Sequence, residues 1–206
     1  SLADALSARG ASVRFICRAH VGHFGDEISR RGYAVDLLPV DRLPEARRAP
    51  DTAPPLAHAD WLGSDAVTDA AQTLAVLKGA VVDWLIVDQY ALDACWEQQL
   101  RQATGASVLV IDDLADRAHA CDVLLDQNLG RHARDYSGLV ADACTLLIGP
   151  AYALLRLQFA EWRELSLARR AQPQLGRILV AMGGSDPRNA TSEVLDALRH
   201  CVLPHE

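Results

Sequence analysis

Several short turns gather residue types that could bind or transform a ligand. Asp88-Gln89-Tyr90 follows an apolar run. An Asp and a Tyr at such a strand end can hold a hydroxyl and stack on a ring; the same Asp could equally cap the next helix. Asp112-Asp113 follows another apolar run. Adjacent carboxylates suggest a cation site or an acid–base pair, but sequence neighbours point apart, and no third carboxylate at metal spacing joins them. The expected arrangement has one carboxylate holding a neighbouring loop and the other at a cleft, without a metal. Asp126-Gln127-Asn128 closes a further strand and either lines the cleft or turns the chain. Gly183-Gly184-Ser185-Asp186-Pro187 follows an apolar run and opens a helix. Two glycines let the backbone approach a ligand, and a helix N-terminus favours anions, so a diphosphate is the natural guest. The alternative is a tight turn with Ser185 or Asp186 as N-cap. His23, between Gly22 and Gly25, is read as a helix start, not as a catalytic base.

These turns need a scaffold that brings them to one edge. The chain alternates helical and strand patterns. Helices are expected over 1–9, 23–31, 65–78, 92–103, near 133–140, 154–171 and 189–201. Strands are expected over 12–17, 34–39, 81–87, 107–111, 121–125, 144–148 and 177–182. The run 81–87 (VVDWLIV) reads as a central strand covered on both faces. Such alternation implies an α/β fold, a doubly wound parallel sheet whose ligands bind at the carboxyl ends of the strands. The Pro- and Ala-rich stretch 41–63 is a long loop of the kind that carries function. Charged residues at 161–170 read as a solvated helix face.

The pattern breaks near 149–175. A first Rossmann-type domain is expected over 1–150, a connecting helix and linker over 151–175, and the first β-α unit of a second Rossmann-type, nucleotide-binding domain over 176–206. A doubly wound domain ordinarily opens on a strand, whereas this chain opens on a helix, and one β-α unit cannot bury a core. The expectation is a chain cut at both ends.

Composition excludes other classes. The 206 residues carry a net charge of −7 and are 50% apolar and 23% charged, which is globular and not disordered. That balance gives no bulk attraction to nucleic acid or anionic membranes. The five cysteines are widely spaced, without C-x-x-C, and read as reduced thiols of a cytoplasmic protein.

Taken together, Asp60-Trp61-Leu62-Gly63 with Asp69, Trp84–Tyr90, Ile111–Ala115, 122–128, Tyr136–Leu139, Gly149-Pro150 with Tyr152–Arg156, and Gly183–Asn189 carry a resemblance. In order and spacing they are similar to the UDP-2,4-diacetamido-2,4,6-trideoxy-β-L-altropyranose hydrolases of pseudaminic acid biosynthesis. The resemblance implies a glycosyltransferase-B type fold and metal-independent hydrolysis at the anomeric carbon, releasing UDP with inversion. It implies no cofactor, and a monomer acting on a UDP-sugar without nucleic-acid or membrane partners. It implies substrate binding by Asp88, Tyr90, Asp113, Asn128 and Tyr152, and diphosphate or nucleotide binding by Gly183, Gly184, Ser185, Asp186 and Asn189. The family's general base is a His in a Gly-x-Gly-His turn that has no counterpart here, so no catalytic residue is assigned and the fragment is expected to be inactive. Gln89 stands where the family often has His. A glycosyltransferase of the same fold and a non-catalytic sugar-nucleotide-binding module are the alternatives.

Overall fold

A computed structural model describes residues 1–41, 56–172, 175–182, 186 and 188–201. They fall in two units, Ser1–Leu155 and a second beginning at Arg156.

In the first unit, α1 (Leu2–Ser7) leads to β1 (Arg14–Arg18), α2 (Gly25–Arg30) and β2 (Ala34–Leu38). A 3-10 turn at Ala59–Leu62 precedes α3 (Ala66–Leu77), β3 (Trp84–Val87), α4 (Ala94–Thr104), β4 (Ser107–Ile111) and β5 (Val123–Asp126). A 3-10 turn at Ala133–Tyr136, β6 (Thr145–Ile148) and a 3-10 turn at Pro150–Tyr152 complete it. All described pairings are parallel: β1 with β2, and separately β3-β4-β5-β6 in that order. The α/β class and the parallel sheet read from the alternation are what the chain adopts.

Local chemistry sets the element ends. The Asp65 carboxylate accepts from Thr68 N at 2.8 Å and caps α3. The Asp93 carboxylate accepts from Cys95 N and Trp96 N and caps α4, which Gly105 ends at φ +72°. In β4, Val108 and Val110 alternate inward while their neighbours are half-buried. Leu77 of α3 and Trp96 and Leu100 of α4 meet Val87, Val108, Val110 and Leu124 of the sheet in one core. Full burial of a side chain such as Leu100 is worth roughly 2 kcal/mol. A buried polar tie crosses the layers: Arg18 donates to Asp69 of α3, and Trp96 Nε1 donates to the same carboxylate at 2.9 Å.

Several expectations need correction. The run 81–87 is not a doubly covered central strand. Only 84–87 is strand, β3 hydrogen-bonds β4 alone among the described residues, and Trp84 and Ile86 are 50% and 42% exposed. Their face lies opposite the one that Val87 turns into the core. The helix expected near 133–140 is one 3-10 turn, because Gly138 takes φ +77° and Tyr136 turns inward, fully buried.

In the second unit the helix expected over 154–171 is two, α5 (Leu157–Glu161) and α6 (Arg163–Arg170), parted at Trp162. The hydrogen bonds Trp162 N to Gln158 O and Ser166 N to Trp162 O carry the chain through the break. Residues 177–182 form no strand. They are mostly exposed, and a strand exists only where a neighbour accepts its hydrogen bonds; none does so among the described residues. The helix that follows, α7 (Ala190–His200), is present.

Candidate active site at the carboxyl edge of the four-stranded sheet

Because β3 to β6 are parallel, their carboxyl ends share one edge, and Asp88, Tyr90, Asp113, Asn128 and Tyr152 all follow those ends. Three of them interact. Interaction of the Tyr90 hydroxyl with the Asp113 carboxylate, then burial and the charges of Asp113, Asp88 and Asp112, push Tyr90 up to about 12. Asp88 keeps an exposed rim, yet partial desolvation by the strand ends, then the charge of Asp113, pushes its carboxyl above the usual range. Asp113 Oδ1 is buried without a hydrogen-bond partner. The trio therefore offers a phenol that stays protonated at neutral pH and carboxyl oxygens that can accept from hydroxyl or amide groups.

What holds this trio is a buried polar frame. Asp112 and Asp113 point apart. Asp112 is buried: Oδ2 accepts from Ala115 N at 2.9 Å and from the Tyr136 hydroxyl at 3.0 Å, and Oδ1 from Arg117 at 2.8 Å. Burial alone would raise this carboxyl, but the Ala115 N–H, the Arg117 charge and the Tyr136 hydroxyl outweigh it and hold it below the usual range. Arg117 also donates to Leu92 O at 2.8 Å and Gln89 O at 3.4 Å, so one guanidinium ties the 89–92 turn to Asp112. The Gln89 side chain folds back to accept from Ala91 N at 3.2 Å. Tyr136 bridges to Asp126 at 2.9 Å, and Arg131 pairs with Asp126 at 3.1 Å while donating to the carbonyls of Asp113 and Leu114. The ends of β3, β4 and β5 are thus cross-linked behind the trio.

The remaining expected residues stand apart from it. Asn128 is exposed, in a turn whose N–H donates to Asp126 Oδ1 at 2.9 Å. Tyr152 is 45% exposed in its 3-10 turn, and its N–H donates to Gly149 O. Gly183, Gly184 and Ser185 lie outside the described residues. The Asp186 carboxylate accepts from Ala190 N and Thr191 N, both at 2.8 Å, and so caps α7; the Thr191 side chain first, then these N–H groups, hold it below the usual range. Asn189 takes the left-handed conformation at φ +53°, and its side chain accepts from the Ser192 hydroxyl. His23 Nδ1 accepts from Gly25 N at 3.1 Å at the start of α2.

Sequence reasoning did not find Arg117 and Arg131, and gave Tyr136 of the Tyr136–Leu139 motif no role, because their partners lie 5 to 28 positions away. Nor did it give a role to His58 and Trp61, whose rings sit beside Tyr90 at centroid distances of 5.4 and 5.9 Å. Trp61 stood in the Asp60–Gly63 motif, which was the available signal.

No family model matches the chain. Over 123 residues, 60% of this chain, it is 31% identical to a UDP-2,4-diacetamido-2,4,6-trideoxy-beta-L-altropyranose hydrolase of Campylobacter jejuni, of which the match covers 43%. Over 123 residues it is 24% identical to an uncharacterised protein of Methanocaldococcus jannaschii, covering 59% of this chain and 25% of that one. The chain spans less than half the length of these curated relatives. The resemblance carried by the motifs and the similarity found over 123 residues thus point to the same kind of hydrolase.

Proposed function

We propose that the complete protein hydrolyses a UDP-diacetamido-trideoxy sugar at its anomeric carbon, releasing UDP and the free sugar with inversion, as a step of pseudaminic acid biosynthesis. The observation that carries this reading is the interacting trio Asp88, Tyr90 and Asp113 at the carboxyl edge of a parallel sheet, in a chain similar to such a hydrolase. In this reading the trio holds the sugar. Carboxylates accept from its hydroxyl and amide N–H groups, and the oxygen of the Tyr90 phenol, which stays protonated at neutral pH, accepts a further one. An inverting hydrolysis also needs a base to orient water and dipoles to receive the departing diphosphate. We assign the first to no residue of this chain and the second in part to Gly183, Gly184, Ser185 and Asn189, at the start of a nucleotide-binding domain of glycosyltransferase-B type.

The test is UDP release from the UDP-diacetamido sugar by the full-length gene product and by residues 1–206, without acceptor or metal. Release by the longer protein, with inverted product by NMR, supports the reading. Release only when an acceptor is added moves the protein to the transferases, and binding without release to a sugar-nucleotide-binding module.

A further inference from the structure

Trp61 is a large aromatic side chain left 57% exposed on an ordered support. Its 3-10 turn is anchored on both sides. Leu62, next in the chain, is buried in the core. Gly63 follows at φ +71°, and a Cβ there would come within 2.4 Å of His20 Cε1, so the turn tolerates only glycine. Gly63 O also accepts from Asp41 N, and Trp61 N donates to His58 O, both at 2.9 Å. The Trp61 ring is therefore held outward by its neighbours.

It is not alone there. The His58 ring lies 4.4 Å from Trp61 and 5.4 Å from Tyr90, so three rings form one aromatic surface. Tyr90 and Asp88, two residues apart, follow the end of β3, and Asp113 follows the end of its parallel neighbour β4, so this surface borders the carboxylate trio. Aromatic faces attract C–H groups and apolar substituents. Carboxylates beside them accept from O–H and N–H and repel a diphosphate. The combination suits the sugar end of a sugar nucleotide, one bearing both methyl groups and amide N–H donors, and suits the nucleotide end poorly.

We propose that Trp61 and His58, packed against Tyr90, form the wall of the sugar subsite and recognise the methyl and acetamido groups of an amino-deoxy sugar, making Trp61 a specificity determinant. This rests on the sugar-nucleotide reading of the site.

The experiment uses the full-length protein labelled with 5-fluorotryptophan. The Trp61 signal is assigned by its loss in Trp61→Phe, and unmoved signals of the other tryptophans show that the variant is folded. The protein is titrated with the UDP-diacetamido-trideoxy sugar, with UDP-glucose and with UDP, and turnover is followed in parallel. The proposal expects the Trp61 signal to shift with the diacetamido sugar and not with UDP. It expects Trp61→Ala to raise KM for that sugar about tenfold, the scale of one or two methyl groups losing their apolar contact, with kcat within about twofold and inhibition by UDP unchanged. It also expects Trp61→Ala to narrow the preference over UDP-glucose. Turnover with a silent Trp61 signal overturns the aromatic wall while leaving the hydrolase standing. A Trp61 shift with the diacetamido sugar but no turnover supports the wall and removes the hydrolase. An equal shift with UDP alone assigns the rings to the nucleotide and overturns the proposal.

Discussion

Tyr90 shows how a single side chain takes its chemistry from the turn that holds it. A phenol three residues past a strand end is unremarkable by itself. Here it interacts with Asp113, and with Asp88 and Asp112 close by three negative charges disfavour a phenolate. Its folded value of about 12 exceeds the roughly 10 of an unfolded chain. The proton is therefore bound more tightly in the folded state. The stability this adds is fully present below pH 10 and is lost as pH rises from about 10 to 12, where the unfolded chain releases its proton first. Tyr90→Phe removes the group, so the variant is expected to lose less stability than the parent between those pH values, as read from urea midpoints. A parallel decline in both proteins would mean that the bond to Asp113 is not made in solution. The same site marks the reach of sequence reasoning. Asp88, Tyr90 and Asp113 were legible because strand-terminal polar residues in an alternating chain share an edge. Arg117 was not, because a lone Arg in a polar loop has the signature of a solvated residue, and only the fold reveals that its side chain is buried against Asp112.

At the scale of elements, helices and strands with their own caps or clean alternation were legible nearly to the residue. α4, β4 and α7 are such cases, with Asp93 and Gly105 bounding α4. Where an element depends on a neighbour, local pattern misleads. The 81–87 run is apolar but for Asp83, as in a strand buried on both faces, yet among the described residues β3 has one hydrogen-bonded partner and one covered face. The 177–182 run is just as apolar and forms no strand, since hydrogen-bond partners are supplied by other parts of a chain. The two faces of β3 make a direct test. Ile86 is 42% exposed and Val87 is buried. Ile86→Thr keeps β-branching and loses little burial, so its cost is expected at about 0.5 kcal/mol. Val87→Ala opens a cavity among Leu77, Val108 and their neighbours and is expected to cost about 2 kcal/mol. Chemical denaturation of the two variants checks the difference, and equal costs would show that the Trp84–Ile86 face is covered in solution.

For the whole molecule, the question is how much of the chain the candidate site requires. Both described sheets, the core around Leu100 and Val108, and the frame of Asp112, Arg117, Tyr136, Asp126 and Arg131 lie within Ser1–Leu155. Every hydrogen bond described above for the Asp88–Tyr90–Asp113 trio and its frame is made inside that unit. Cooperative unfolding needs one contiguous apolar core with satisfied buried polar groups, and this unit has both apart from isolated atoms such as His119 Nε2 and Asp113 Oδ1. Residues 1–155 expressed alone are therefore expected to unfold in one sharp transition, with near-ultraviolet circular dichroism retained below it. Their Tyr90 should still titrate near 12, followed as the one phenol signal that Tyr90→Phe removes. A broad transition with strong dye binding at neutral pH would instead show that the core needs chain beyond Leu155. A sharp transition with Tyr90 back near 10 would place the fold in this unit but the tether to Asp113 under the control of residues outside it.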